Sequence, residues 1–210
     1  MKSPPITLRY FDIAGRAEIT RLLLHYADVP FIDRRIPHKL FPHLKPRLNL
    51  PLGSLPTLEV GNETFGETLA IARYAATLSR LYPSDDHITA CASETVAARI
   101  NEMMIALFCV LYMKETCPTK NKKKLHAVRR MVTSSLMQME MQAASRAAFF
   151  ARRTWIDVYL FDLVMNVLLP FHATLAIPFN QYPKLAAIVG AVRHAPELAS
   201  YLSKQNTTKL

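Results

Sequence analysis

The chain has 210 residues and a formal net charge of +10, with 50% hydrophobic and 20% charged residues. That apolar content can fill a sizeable core and excludes an intrinsically disordered chain. Nucleic-acid binding is not expected, because the basic residues are not interleaved with aromatic residues in a reader motif. We also expect no membrane span and no signal peptide. The most apolar helical run, 105–113, has about half of the ~20 residues that cross a bilayer, and no apolar leader follows Met1.

The first 80 residues alternate between strand and helix patterns. The strand-like runs are 6–10, 31–36, 57–60 and 63–65. Apolar residues at helical spacing predict helices over 16–27 and from 71 onward. The proline-rich stretch 37–51 is predicted to be a long irregular connection, of the kind that often carries function. The order βαβ-ββα predicts a thioredoxin-like α/β domain over 1–82.

Residues 83–86 form the best candidate linker, and the remainder, 87–210, has helical patterns throughout. Two long apolar stripes predict two helices joined by a short turn, which should pack as an antiparallel pair. The first stripe is Ile100, Met103, Met104, Leu107, Phe108 and Leu111. The second stripe is Leu125, Val128, Val132, Leu136 and Met139. We therefore predict an all-helical C-terminal domain.

A capping box begins the next helix, with Thr154 as the N-cap and Asp157 three residues later. Each side chain of such a box satisfies a backbone N–H group that the helix leaves unpaired. We assign both residues to folding and predict that Asp157→Ala loses folded yield before it loses ligand binding.

The three cysteines, Cys91, Cys109 and Cys117, form an odd set without a C-x-x-C pair, which indicates free thiols in a reducing compartment. Cys109 lies in an apolar run and is predicted to be a small core residue. No metal-ligand spacing is present, so no metal is expected. The basic run from Lys120 to Arg130 is predicted to be a solvated helix start, although it would also favour capture of anionic ligands.

Residues Leu50–Val60 form a tight segment, with Pro51, Gly53 and Pro56 leading directly into a β-prone run. Pro56 is expected at the start of a strand, because proline cannot donate to a sheet. An ordinary trans loop explains the segment. A cis Leu55-Pro56 bond explains it too, and would turn the backbone edge of Leu55 outward to pair with an extended peptide.

Three stretches in this order and spacing resemble the cytosolic glutathione transferases. They are YFDIAGRAE at 10–18, LPLGSLPTLEV at 50–60 and GETLAIARY at 66–74. The pattern is most similar to the sigma class, which includes the glutathione-dependent prostaglandin D synthases. The resemblance implies glutathione as co-substrate, no metal, a small apolar electrophile or lipid as partner, a detoxification role, a homodimer and a cytoplasmic location.

Tyr10 is the catalytic residue that the resemblance implies. A thiol has a pKa of about 8.5, and a hydroxyl donor aimed at the sulfur favours its thiolate. Arg16 would add to this effect from the helix start. The structural alternatives are a core tyrosine with a satisfied hydroxyl, and an Arg16 paired with Glu18 or another acid.

The implied glutathione site joins charged, hydroxyl and backbone groups from several loops. Leu55 offers a backbone edge, and Lys45 would pair with the glycyl carboxylate. Glu67 and Thr68 begin a helix that can hold a carboxylate and an ammonium. As alternatives, Glu67 and Thr68 are ordinary helix-start residues and Lys45 is a solvated loop charge. The full predicted set is Tyr10, Phe41, Lys45, Ser54, Leu55, Pro56, Glu67, Thr68 and Asn101.

Three positions depart from the sigma pattern. Phe41 replaces a tryptophan, Ser54 a lysine or glutamine, and Asn101 an aspartate that reaches the other subunit's glutathione. The loop before Pro51 is also two residues longer, which bears on Lys45. Each lost contact is expected to weaken glutathione binding by roughly 1–2 kcal/mol.

The residues expected to line the electrophile pocket are Phe11, Met103, Met104, Leu107 and Phe108, although a methionine stripe at helical spacing is also typical of a core. Three functions remain open: conjugation of glutathione to apolar electrophiles, glutathione-dependent isomerisation of a lipid peroxide, and a non-catalytic ligand carrier or scaffold. Thr208-Lys209-Leu210 resembles a peroxisomal signal, with a frayed polar tail as the preferred alternative.

Overall fold

The computed structural model describes residues 4–112, 118–144 and 153–207. The predictions about Cys117 and Thr208-Lys209-Leu210 lie outside these ranges. The described chain divides into two compact units, the first formed by 4–82 with 195–207 and the second by 83–194. The division between the units lies at 82, and residues 195–207 group with the first unit.

A four-stranded mixed sheet organises the first unit. Its strands are β1 (Ile6–Phe11), β2 (Ile32–Ile36), β3 (Thr57–Val60) and β4 (Glu63–Phe65). They lie in the order β2-β1-β3-β4, with β1 parallel to β2 and the other pairs antiparallel. Alternate residues of β1, namely Ile6, Leu8 and Tyr10, are buried. The predicted thioredoxin-like arrangement is confirmed.

The helices of the first unit cover the sheet and connect its strands. They are α1 (Glu18–Tyr26), the short α2 (Phe41–Leu44), α3 (Thr68–Leu78) and, at the end of the chain, α9 (Pro196–Thr207). Helix α1 packs against both α3 and α9. The connection 37–51 is not fully irregular as predicted, because it forms three short helical turns over 38–47. Two of its prolines, Pro42 and Pro46, stand in the first turn of such a segment, where a missing N–H costs nothing.

The second unit is helical, as predicted. Its helices are α4 (His87–Tyr112), α5 (Pro118–Ala144), α6 (Trp155–Leu163), α7 (His172–Leu175) and α8 (Pro183–Arg193). Helix α4 packs on α5 and α6, and α8 packs on α5 and α6. Every residue of α6 is buried, which makes it the central helix of this unit. Its Trp155 donates its indole N–H to Ser93 Oγ of α4 at 3.3 Å.

Helix α4 is longer than the apolar run in its sequence indicates. It has 26 residues, and an 18-residue window with mean hydropathy 1.4 is long and apolar enough to cross a membrane by length and composition. The run 105–113 therefore underestimates the apolar length of this helix, and the absence of a membrane span stays a prediction. A core helix of a soluble protein passes the same test, so length and composition alone do not show a membrane span.

Cys109 is exposed, so its assignment to the core is wrong. It lies nine positions after the buried Ile100, which is about two and a half helical turns and therefore the opposite face of α4. The lysines and Arg130 at the start of α5 are exposed, as a solvated helix start requires. Arg129 is half-buried, and its guanidinium donates to the Thr174 carbonyl at 2.6 Å.

Candidate functional site

Tyr10 lies near the end of β1, directly before the turn that leads into α1. Its ring is buried, with 6% of the residue exposed. The backbone N–H of Arg16 donates a hydrogen bond to the Tyr10 hydroxyl oxygen, with 3.2 Å between nitrogen and oxygen. The phenol is thus held beside the helix start, and its role in activating a thiol stays a prediction.

Gly15 lets the turn approach Tyr10 this closely. Its φ is +49°, and a Cβ built there would lie 2.7 Å from Tyr10 Cε1 and 2.9 Å from the hydroxyl oxygen. Both distances are shorter than a real Cβ contact, and L side chains rarely adopt this φ. A glycine is therefore required by the geometry of Tyr10 and not only by the bend of the chain.

The side chain of Arg16 is exposed, and its backbone N–H is the group that bonds to the Tyr10 hydroxyl. Glu18, the acid suggested as its structural partner, is completely buried and contacts Arg21. An electrostatic role for the Arg16 guanidinium in favouring the thiolate stays a prediction.

Arg21 is a buried charged residue that the sequence analysis missed. It lies in α1 with no exposed surface, and its guanidinium carbon is 6.0 Å from the centroid of the Tyr10 ring. The spacing of Glu18 and Arg21, three residues apart on one helix, was a signal for an ion pair. The burial of this pair does not follow from the spacing, since Arg99 and Glu102 have the same spacing and are exposed.

The Leu55-Pro56 peptide bond is cis, and both residues are buried directly before β3. Of the two alternatives for this segment, the structure has the cis form. Ser54, one position earlier, is exposed. Pairing of the Leu55 backbone with a bound peptide stays a prediction.

Glu67 and Thr68 stand at the start of α3. Glu67 is exposed and has φ +66° and ψ 121°, an uncommon conformation for a residue other than glycine. Thr68 is buried. Residues held in such conformations cluster at functional sites, and here the strained residue is the acid that is predicted to accept from the glutathione ammonium.

Phe41 and Lys45 belong to an aromatic cluster beside Phe11. The Phe11 and Phe41 rings meet edge to face with centroids 5.1 Å apart, and Lys45 Nζ lies 5.9 Å from the Phe41 centroid. His38, which sequence reasoning did not select, contacts the Phe11 ring at 4.9 Å. The structure therefore brings three of the predicted residues together and places a cation at the aromatic surface.

Asn101, in the second unit, has an internal partner. Its Oδ1 accepts a hydrogen bond from the Tyr159 hydroxyl at 3.1 Å, which ties α4 to α6. Met103, Met104 and Leu107 are buried and Phe108 is half-buried, as the core alternative requires. A role for these residues in holding glutathione or an electrophile stays a prediction. Within 4–112, 118–144 and 153–207, no group of three or more histidine, cysteine or acidic side chains is arranged to hold a metal ion.

A thioredoxin-like unit with a cis-proline edge, accompanied by a helical unit, is the architecture of a known class of transferases. The family model "Glutathione S-transferase, N-terminal domain" matches residues 6–77, and the C-terminal domain model of the same family matches 102–205. Together the two models match most of the chain, which belongs to the glutathione S-transferase family.

Relatives cover nearly the whole chain. Hematopoietic prostaglandin D synthase of Gallus gallus is 29% identical over 208 residues, 99% of this chain and 100% of its own. A glutathione S-transferase of Anopheles gambiae is 26% identical over 211 residues, with the same coverage. The solved structure of prostaglandin synthase D of Nilaparvata lugens superposes with a TM-score of 0.82 over 96% of this chain and 98% of that chain, at 23% identity. This last likeness confirms the fold.

Proposed function

We propose that this transferase joins the thiolate of glutathione to small apolar electrophiles, with Tyr10 as the group that stabilises the thiolate. The main support is the position of the Tyr10 hydroxyl near the start of α1. The Arg16 amide donates a hydrogen bond to it, with 3.2 Å between nitrogen and oxygen. A phenol in this place can donate to a sulfur and lower its pKa. In the reaction a sulfur–carbon bond forms, the leaving group departs with the bonding electrons, and the thiol proton passes to solvent.

The remaining predicted residues hold glutathione in this proposal. The Leu55 backbone pairs with the cysteinyl unit, Glu67 and Thr68 take the γ-glutamyl end at the start of α3, and Lys45 neutralises the glycyl carboxylate. The strained φ of Glu67 and the placement of Lys45 beside the Phe41 ring support this assignment.

The proposal is tested by retention on immobilised glutathione, followed by conjugation of an aromatic halide with wild type and Tyr10→Phe. We expect both proteins to be retained and the variant to lose most of the conjugation rate. Tyr182→Phe is the matched control, since it removes a buried hydroxyl that contacts Gln181 and Thr133 in the other unit. Equal rates in Tyr10→Phe and wild type would remove Tyr10 from the mechanism.

Isomerisation of a lipid peroxide is the second candidate, favoured by the relatives that are named prostaglandin D synthases. Conjugation consumes glutathione, whereas isomerisation returns it after each cycle. A lipid endoperoxide supplied with glutathione therefore separates the two functions: product that forms with no fall in total thiol favours the isomerase.

A carrier or scaffold without catalysis is the third candidate. Asn101 supports it, because its side-chain oxygen bonds to Tyr159 within the second unit. The substitutions at Phe41 and Ser54 point the same way. Folded protein that passes through immobilised glutathione without retention is the result expected of a carrier. Assignment to the sigma class, a homodimer, a detoxification role and a cytoplasmic location remain part of the proposal and rest on the resemblance.

A further inference from the structure

Every guanidinium nitrogen of the buried Arg21 has an acceptor. Nε contacts the Asp33 carboxylate at 3.0 and 3.1 Å. Nη1 donates to the carbonyls of Ile13 at 2.8 Å and Ala14 at 3.1 Å, and Nη2 lies 3.5 Å from the carbonyl of Phe11. A planar, forked cation is suited to holding several acceptors at fixed angles. Arg21 therefore fixes the backbone of the turn that follows β1.

The same turn supplies the hydrogen bond to the Tyr10 hydroxyl. Ala14 is followed at once by Gly15, which lies against the Tyr10 ring, and then by Arg16, whose amide donates to the hydroxyl. The guanidinium also lies within cation–π range of the same ring. A shift of the carbonyls that Arg21 holds would consequently move the Arg16 amide relative to Tyr10.

The buried carboxylate of Glu18 connects Arg21 to the end of the chain. Glu18 Oε2 lies 3.2 Å from Arg21 Nη1, and Glu18 Oε1 accepts a hydrogen bond from the Tyr201 hydroxyl of α9 at 2.8 Å. The Tyr201 ring stacks on His25 of α1, with centroids 4.1 Å apart. A buried ion pair is held in one geometry only when its remaining lone pairs are satisfied, and Tyr201 supplies such a bond.

We propose that Arg21 is a positioning residue for Tyr10 and that Tyr201, 183 positions after Glu18, completes the buried group that orients it. The connection of this buried group to the glutathione thiol rests on the proposed function. The physical link is cooperativity: a phenol whose oxygen accepts an amide hydrogen bond becomes a stronger donor through its own proton. Loss of the hydrogen bond from the Arg16 amide would make Tyr10 a weaker donor. The pKa of the thiol of bound glutathione would then rise.

Tyr201→Phe is the mildest test, because it keeps the stacked ring and removes the hydroxyl alone. The first measurement is hydrogen exchange of the Arg16 amide by NMR, which needs no activity. We expect exchange to rise roughly fivefold, the factor that one ordinary hydrogen bond represents. Tyr182→Phe is the matched control in the second unit and should leave the Arg16 amide unchanged.

Arg21→Lys is the stronger variant, since an ammonium cannot reproduce the forked contacts with three carbonyls and two acids. It should raise Arg16 exchange further than Tyr201→Phe does. The amide of Leu8, which is buried in the middle of β1, reports general opening of the same unit. The proposal is overturned if exchange rises by the same factor at Leu8 and at Arg16. It is also overturned if neither variant raises exchange at Arg16.

The second measurement is the pH profile of kcat/KM for conjugation. We expect the limb that reports the glutathione thiol to move to higher pH in Tyr201→Phe, with little loss of rate above it. Faster Arg16 exchange with an unmoved limb overturns the link to the thiol. If wild type itself does not conjugate glutathione, the proposed function fails, and amide exchange alone decides whether Arg21 and Tyr201 position Tyr10.

Discussion

The first unit buries a charged group whose members come from distant parts of the chain, whereas the second unit buries a polar group that is local in sequence. Arg21 meets Asp33 twelve residues away, and Glu18 meets Tyr201 across 183 residues. In α6, by contrast, the carboxylate of Asp157 accepts from the Thr154 amide at 2.8 Å, only three residues away. The distant group holds the turn whose Arg16 amide bonds to Tyr10, and the local group begins a central helix.

This difference explains why one group was predicted and the other was not. A capping box is visible as a spacing of three residues before an apolar run. The contacts of Arg21 depend on how β2 and α9 pack against α1, which no spacing in the sequence gives. Long-range polar groups of this kind are found only from the tertiary structure.

The largest effect is expected for Arg21→Leu, which leaves the Glu18 carboxylate buried without its cation. We expect the free energy of unfolding to fall by about 3–5 kcal/mol, measured by urea denaturation. Arg99→Leu is the matched control, because Arg99 and Glu102 are also three residues apart but exposed. That change should cost less than about 1 kcal/mol. Similar losses in the two variants would show that burial does not raise the cost of losing the arginine.

Asp157 should give the second unit an unusual dependence on pH. Burial raises its pKa to about 6, although the Thr154 amide and Arg153 act in the opposite direction. The folded state therefore binds the proton more tightly than the unfolded state, and between pH ~4 and ~6 stability falls as pH rises. Relative to Asp157→Asn, wild type should lose up to about 3 kcal/mol across this window. Parallel stability curves for the two proteins would show that Asp157 titrates normally.

Gly15→Ala tests the close approach in the first unit. The new methyl would meet the Tyr10 ring at a positive φ, so we expect a loss of about 2 kcal/mol in stability and a fall in conjugation rate. Gly53→Ala separates the two causes, because Gly53 has φ +70° with no atom within 4 Å of the added carbon. Gly190→Ala, in α8 with open space, should be neutral or stabilising. A fall in rate for Gly53→Ala as large as for Gly15→Ala would count against the contact with Tyr10.

Asp157→Ala tests whether the local group serves folding alone. Loss of the cap is expected to cost about 1 kcal/mol and to lower the yield of folded protein. The fraction of folded protein retained on immobilised glutathione should stay at the wild-type value. A variant with normal stability and lost retention would reverse this assignment.

The smallest effect is expected at His25. Burial lowers its pKa below 6.5, while Asp33 and Glu18 act in the opposite direction. The unfolded state therefore binds the proton more tightly, and stability rises with pH up to about 6.5, the opposite direction to Asp157. His25→Phe keeps the ring on Tyr201 and should remove this slope, as measured by thermal unfolding between pH 5 and 7. An unchanged slope in the variant would assign it to another group.

Elements with strong local signals were predicted well. The strand-like runs 57–60 and 63–65 are the observed β3 and β4, and α1 follows from its apolar spacing. The turns within 38–47 were missed because prolines were taken to exclude helix, although the first helical turn tolerates them. Cys109 was misplaced because an apolar run does not say which face of a helix is buried.

The candidate site was predicted as a set of residues and not as a geometry. The motif around Gly15 identified Tyr10 as a candidate. The bond from the Arg16 amide to its hydroxyl depends on a turn whose position is set by Arg21, and therefore was not predictable from spacing. The same limit applied to Asn101, whose partner Tyr159 is 58 residues away.

The packing of α9 on α1 has a consequence for the order of events during synthesis. The unit that begins with β1 lacks Tyr201 until the helical unit 83–194 has been synthesised, since Tyr201 follows that unit in the chain. The helical unit 83–194 is complete before that. Released chains truncated after residue 194 should therefore protect the helical unit from protease while leaving the strand-bearing amino end cleavable.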